Sequence, residues 1–406
     1  MECTEKPTGQ RIPKAVWVLG FVSLLMDVSS EMIHAVLPLF LTVTLGASAG
    51  LVGLMEGMAE STALIAKVFS GVIADRFGHK KYLILLGYGI AVASKPVFAL
   101  SQSVGLCFAA RFADRLGKGL RGAPRDALVA EAAPKTLWGA AYGLRHALDA
   151  AGAFLGPALA ALLLFLWTEN YREIFWIALI PGIACLLLII FGVHEKEESA
   201  VSGTTHAPFN LKAALKEITP ALRVLLVLTA LVSAARCSNA FLLLRAADTG
   251  IPAAAVPLII VGLNAVFSLS AYPFGKLADT VSESLLLVTG LIFLAAGNLF
   301  LAWVPSTAGI AAGIIFWGLH MGAVQGVMSK LTASAAGPGN RATAFGLASF
   351  TAGITLLAAN TVFGVLWSAA GAAVSFTIGA LFAVVAVISA LRLKKTLSQN
   401  RATKVP

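Results

Sequence analysis

The sequence predicts an all-α integral membrane protein, with twelve transmembrane helices in two pseudo-symmetric six-helix bundles. Three observations carry that expectation. Of the 406 residues, 58% are hydrophobic and 12% charged, with a mean hydropathy of +0.86; ordinary soluble domains carry about 25% charged residues. The apolar residues fall into runs of about 20, the length that crosses a bilayer, and roughly twelve such runs fit the chain. Short motifs of the first half also return in the second at a nearly constant offset.

The first bundle, residues 1–193, holds expected spans at 15–41, 51–74, 82–100, 104–128, 138–167 and 174–193. The opening MECTEKPTGQRIPK is polar for longer than the start of a cleaved signal peptide, so the first span is expected to stay. Residues 194–219 read as a polar linker. Within it, Leu211, Leu215 and Ile218 make an apolar stripe beside Lys212 and Lys216, the pattern of a short helix lying on a membrane surface. The second bundle with its tail, residues 220–406, holds spans at 220–244, 252–278, 285–304, 307–334, 343–367 and 371–393.

Charge in the connections gives the orientation. Lys6, Arg11, Lys14, Arg76, Lys80, Lys81, Lys135, Lys212, Lys216, Arg341, Lys394 and Lys395 fall on one side; the other holds little beyond Arg172 and Arg245. Both termini are therefore expected on the cytoplasmic side of the membrane. The same bias accounts for the net charge of +10, because no basic domain stands apart from the spans to bind nucleic acid. Cys3, Cys107, Cys185 and Cys237 are scattered singly and read as small apolar residues, without disulfide or zinc spacing.

The repeat is visible in two places. GVIAD at 71–75 returns as GKLAD at 275–279, an offset of 204, and AYGL at 141–144 returns as AFGL at 344–347, an offset of 203. Internal symmetry of this kind marks secondary transporters, whose sites lie between the repeats.

The connection after the second span is the most specific local signal: Gly71, Asp75, Arg76, Gly78, Lys80 and Lys81 in GVIADRFGHKK. It resembles the signature loop of the major facilitator superfamily at every fixed position. Gly71 lets helices approach, Gly78 makes a tight turn, and the basic pair anchors the cytoplasmic face. The resemblance implies that Asp75 and Arg76 join a charge network that gates the two states, with Asp126 or Glu131 as acidic partners. The second copy keeps Gly275 and Asp279 but has Thr280 in place of the Arg, so its gate is expected to be weaker.

Arg115, Gly119 and Ala123 resemble a second motif of that family, in its fourth helix. Gly152, Gly156 and Pro157 resemble the Gly-x-x-x-Gly-Pro helix-bend motif of its antiporters, although Ala160 and Ala161 stand where that motif closes on glycines. Close helix packing accounts for the small residues equally well. SSEMI in span one and RLGKGLRGAPRDAL in span four further resemble a widespread bacterial permease group, which implies a place in a bacterial inner membrane. The fold resemblance covers the whole chain and fixes no substrate.

Arg111, Arg115 and Lys118 lie at i, i+4 and i+7 of span four, on one face of a helix surrounded by hydrocarbon. A charge at mid-bilayer costs roughly 3 kcal/mol, so such a face must meet water, substrate or carboxylates. Asp27, Glu31 and His34 form a matching stripe on span one. Counting about 1.5 Å per residue from opposite faces, Asp27 lies about 18 Å from one side and Arg111 about 10 Å from the other, similar depths in a core about 30 Å thick. A facing Asp27–Arg111 pair that takes up and releases a proton is expected, with Glu31, His34 and then Asp149 as other carriers.

The second half has lost most of these charges. By the repeat offset Arg115 corresponds to Gly318, Lys118 to Met321 and Arg145 to Ala348. The first half is expected to couple to protons, and the second to give the substrate an apolar and aromatic wall. Candidate cavity residues are Arg115, Lys118, Arg145 and His146 in the first half, and Arg236, Asn239, Asn264, Trp317, His320, Gln325 and Asn360 in the second. Buried ion pairs that merely fix helix register are the competing account.

Other motifs lack their context. Gly117, Gly119 and Gly122 satisfy G-x-G-x-x-G, but inside a spanning helix rather than after a strand. Met residues of spans one, two and ten have no thiolate pair or His cluster beside them to make a soft-metal path. No G-x-x-x-x-G-K-[ST] stretch suggests ATP hydrolysis. The expectation is a secondary transporter of a small organic solute, working as a monomer without cofactor, most simply by proton antiport in efflux. Proton symport of a metabolite or of a metal or siderophore species comes next. A transporter-like sensor or a membrane-embedded enzyme stands last, for want of a signalling domain or a nucleophile with its base.

Overall fold

A computed structural model describes residues 12–77, 80–134, 137–193, 219–277, 281–335 and 341–402. Every described element is helical. In the first half these are α1 (Lys14–His34), α2 (Ala49–Phe77), α3 (Lys80–Leu100), α4 (Val104–Ala132), α5 (Trp138–Leu166) and α6 (Tyr171–Gly192). The second half has α7 (Pro220–Ala235), α8 (Asn239–Asp248), α9 (Leu258–Leu277), α10 (Glu283–Trp303), α11 (Thr307–Ala335) and α12 (Arg341–Ala402).

Among the described residues, nine segments are long and apolar enough to cross a membrane. Neither α2 nor α4 is among them, although each is 29 residues long, because these two carry many of the chain's intramembrane acids and bases. The last segment, Ala344–Leu391, runs through Gly371, whose φ of 86° and ψ of 169° break α12 into two limbs. Only a residue without Cβ takes that conformation freely. The set is consistent with twelve spans. Large apolar side chains such as Leu166, 77% exposed, cover the outside, the face that lipid solvates.

Helix ends follow from local chemistry. Ser103, Asn170, Thr219, Ser238 and Ser282 each accept a hydrogen bond from a backbone N–H of the turn that follows, satisfying donors a helix start leaves open. Two segments differ from the sequence expectation. The first continues beyond α1 through a turn at Leu37–Leu39 and a π-turn at Phe40–Thr44. The run expected at 220–244 is not one helix, because Arg236 (φ −102°, ψ 91°) ends α7 and Ser238 caps α8. Hydropathy hides this break, since apolar residues flank it on both sides.

Helix neighbours decide which side chains meet. In the first half α1 packs on α5 and α6, α3 on α4, and α2 on α4; α2 crosses to α12 and α5 to α9. Among the described residues, two of the three buried apolar clusters belong to single halves, one around Tyr88 and Ile189, the other around Leu228 and Leu291. The third runs through both, joining Phe40, Phe98 and Phe175 to Phe241, Phe363 and Phe376. It lies toward the end of the molecule opposite Lys14 and Arg341, the far end. There α2 and α12 touch backbone to backbone: a Cβ on Gly53 would sit 2.2 Å from the Asn360 carbonyl oxygen, and one on Gly364 2.4 Å from that of Ala49. Gly50 N–H donates to Ser368 Oγ over 3.1 Å. Among the described residues, the halves are thus sealed together at the far end.

Candidate functional site

A cavity of about 560 Å³ lies between the halves. From the first half it is walled by the end of α1, by α2 and by α4; from the second by the α7–α8 break, α11 and α12. Arg111, Arg115 and Lys118 all line it, as helical spacing places them.

Arg111 does not face Asp27. Its Nε and Nη2 donate to Glu56 Oε1 and Oε2 over 3.0 and 2.8 Å, a two-point ion pair buried in the wall. The expected Asp27–Arg111 pair is replaced because α4 packs along α2, with only a minor contact to α1. Glu56 also accepts from Ser238 Oγ over 3.0 Å, so one carboxylate joins α4 of the first half to the helix break of the second. Ser238 N–H in turn donates to Asn360 Oδ1 over 2.8 Å.

Arg115 lies one turn along. Its Nη2 is 2.7 Å from His34 Nδ1, its Nη1 is 3.5 Å from Glu60 Oε1, and its Nε is 3.5 Å from Asp114 Oδ2. His34 Nδ1 is 3.4 Å from Glu31 Oε1, so two of the stripe residues expected on α1, Glu31 and His34, reach the cavity and touch each other. Lys118 extends into the cavity with no ion pair among the described residues. Away from the cavity, Asp114 takes Lys95 Nζ at 2.8 Å, and Ser30 and His34 close around them. That node ties α1, α3 and α4 together, and Lys95 is wholly buried.

Several expected cavity residues sit elsewhere. Trp317 is buried in the second half, its Nε1 donating to Asn298 Oδ1 over 3.1 Å, and His320 pairs with the Gly290 carbonyl at 2.8 Å; both face α10 instead of the cavity. Asn264 donates from Nδ2 to the Ala153 carbonyl over 3.0 Å and fastens α9 to α5. Arg145 binds Asp149 at 2.7 Å and approaches Asp126 to 3.6 Å, with His146 beside it, and neither lines the cavity. The expected aromatic wall is therefore corrected. The second half contributes Arg236, Ser238, Asn239, Gln325 and Asn360 among aliphatic side chains.

Gly152 and Gly156 seat α5 on α1. A Cβ at Gly152 would lie 2.9 Å from that of Asp27, and one at Gly156 would lie 2.8 Å from that of Glu31. Pro157 follows inside α5. Asp27 thus packs against α5 and is not part of the cavity wall. Of the expected gate, Lys80 forms an ion pair with Glu131, and Lys81 Nζ donates to the Ile190 carbonyl over 3.1 Å. Asp126 faces Arg125 at 3.5 Å and Arg145. Gly78 and the side-chain surroundings of Gly71, Asp75 and Arg76 lie outside the described residues, as does the 194–218 part of the linker. In the sequence, Glu56, Glu60 and Lys95 stand only among the general set of first-half intramembrane charges expected to serve ion coupling, and Asp114 and Ser238 carry no expected role. For Glu56 and Glu60 the available signal was their i, i+4 spacing on an otherwise apolar span.

Two helical halves around a polar central cavity define the class: a membrane transporter. The model of the Major Facilitator Superfamily matches residues 19–244, more than half of the chain, and the chain belongs to that family. It is a secondary transporter and not an enzyme. The chain is 29% identical over 382 residues to an uncharacterized MFS-type transporter of Methanocaldococcus jannaschii, covering 93% of this chain and 94% of that one. Over 120 residues, 30% of each protein, it is 33% identical to the multidrug resistance protein MdtH of Yersinia enterocolitica. The fold superposes on the nucleoside transporter NupG with a TM-score of 0.80 at 14% identity, over 94% of this chain and 99% of that one.

Proposed function

We propose that this transporter couples solute movement to protons through Glu56, by alternating access between two six-helix halves. The observation that carries the reading is the position of that carboxylate. It holds Arg111 of the first half and Ser238 of the second in the state sealed at the far end. The charged groups around it come from each packed element: Glu60 on α2, Arg111 and Arg115 on α4, His34 ending α1, and Arg236 ending α7. Protonating Glu56 removes the charge that Arg111 and Ser238 bind. It weakens a link between the halves and turns Arg111 into a free cation in the cavity wall. Charge-assisted hydrogen bonds contribute about 1.5–3 kcal/mol each, enough to shift a two-state equilibrium severalfold or more.

Because protonation exposes a donor to the cavity, a proton and an acceptor-bearing solute bind together, which favours symport. Efflux by antiport is the second reading. It is favoured by the Gly152–Gly156–Pro157 pattern and by the name of the Yersinia relative. The bias of Lys and Arg supports cytoplasmic termini; with that orientation the sealed far end faces outward and the cavity belongs to an inward-facing state. In proteoliposomes, an imposed pH gradient should accumulate solute on the side to which protons flow. Accumulation on the opposite side selects antiport, and accumulation indifferent to any pH gradient removes proton coupling.

A further inference from the structure

The cavity's hydrogen-bonding capacity is unbalanced. Among the described residues its three carboxylates are engaged: Glu31 by His34, Glu56 by Arg111 and Ser238, Glu60 by Arg115. Its donors are not exhausted. Arg111 Nη1 and Asn360 Nδ2 are buried with no hydrogen-bond partner among the described residues. The Asn360 amide cannot simply be turned round to hide this, because its Oδ1 accepts the Ser238 N–H. Lys118 and Arg236 line the same space and have no ion pair among the described residues. Among the described lining residues, four cationic side chains thus face three carboxylates, leaving His34 aside. The two buried donors are costly until water or a ligand supplies an acceptor, and the exposed Lys118 with the half-buried Arg236 gives the cavity an excess of positive charge for an anion to meet.

Resting on the reading of this cavity as the solute site, we propose that the transported solute is a small organic anion. Its carboxylate or phosphoryl oxygens are held between Lys118 and Arg236, with Asn360 and Arg111 supplying further donors. The helix break adds to this. It brings Arg236 to the cavity wall and turns the N-terminus of α8, a ten-residue helix, toward the same space, where the peptide dipoles favour negative charge. The polar donors set among the aliphatic side chains of the second-half wall, Arg236 above all, suit an anion better than a hydrophobic cation.

The test is binding, kept separate from transport. Purified protein in nanodiscs is screened by thermal shift against a size-matched library of organic monoanions, zwitterions, neutral compounds and cations. Stabilising compounds should concentrate among the anions. Their affinity should fall about tenfold or more in Arg236→Gln and in Lys118→Gln, the loss expected for one charge-assisted contact. Arg236→Lys should keep most of it, which separates lost charge from misfolding. Cations or neutral compounds that bind with affinity unchanged in both Gln variants overturn the proposal, as does an anion set that gives no shift. Transport of such a cation by Arg236→Gln would sink the anion site and leave the transporter reading standing. An anion that binds but never crosses proteoliposomes would do the reverse.

Discussion

Arg111 and Glu56 meet through two parallel hydrogen bonds, Nε to Oε1 at 3.0 Å and Nη2 to Oε2 at 2.8 Å, in the cavity wall. A planar fork matched to a carboxylate gives direction as well as energy, and an ammonium does not reproduce it. Arg111→Lys keeps the charge but loses one of the two contacts. It should slow solute turnover about tenfold or more, the equivalent of one such bond, while the protein inserts and melts near the wild type. Turnover equal to wild type in a well-inserted Arg111→Lys protein would show that the two-point geometry has no part in transport.

The Lys95–Asp114 pair should behave differently, as a structural node. Lys95 is wholly buried and its Nζ lies 2.8 Å from Asp114 Oδ1. Asp114→Asn leaves a buried ammonium without its counter-charge, which costs about 3–5 kcal/mol. The variant should melt well below wild type in detergent, and Lys95→Met combined with Asp114→Asn should recover most of the loss. A single variant as stable as wild type would contradict this.

At the far end, Gly53→Ala should move the conformational equilibrium. The added Cβ would fall 2.2 Å from the Asn360 carbonyl oxygen, in backbone that cannot yield as a side chain would. A change that penalises only one of two states populates the other. Spin labels at the exposed Leu51 and Val365 should report longer distances in Gly53→Ala than in the otherwise unmodified protein. An unchanged distance distribution would mean that α2 and α12 keep this contact throughout the cycle.

The shared face of Arg111, Arg115 and Lys118 was legible in the sequence, because helix geometry alone puts i, i+4 and i+7 together. Their partners were not. Depth in the bilayer suits Asp27 as well as Glu56, and only the packing of α4 along α2 chooses between them. The break at Arg236 to Ser238 was masked by the apolar residues on either side. The cluster Arg236, Cys237, Ser238, Asn239 was its one signal, with Ser238 a good helix cap. Trp317 and His320 misled because a polar atom on a spanning helix suggests a cavity, whereas here Asn298 and the Gly290 carbonyl satisfy them within the second half.

The signature loop supports a further expectation. Asp75→Asn should leave insertion and melting near wild type and severely slow turnover, because its defect lies in the balance between states. Normal turnover by a well-inserted Asp75→Asn protein would remove the loop from the mechanism.

Glu56→Gln separates proton coupling at this carboxylate from solute movement itself. Glutamine keeps the shape of the side chain and an oxygen for Arg111 and Ser238, but takes up no proton. With the tightest-binding anion from the screen as radiolabelled solute, Glu56→Gln in proteoliposomes should retain counterflow exchange and lose accumulation driven by a pH gradient. Asp27→Asn, measured in parallel, should keep both. Undiminished pH-driven accumulation by Glu56→Gln would mean that another group carries the proton.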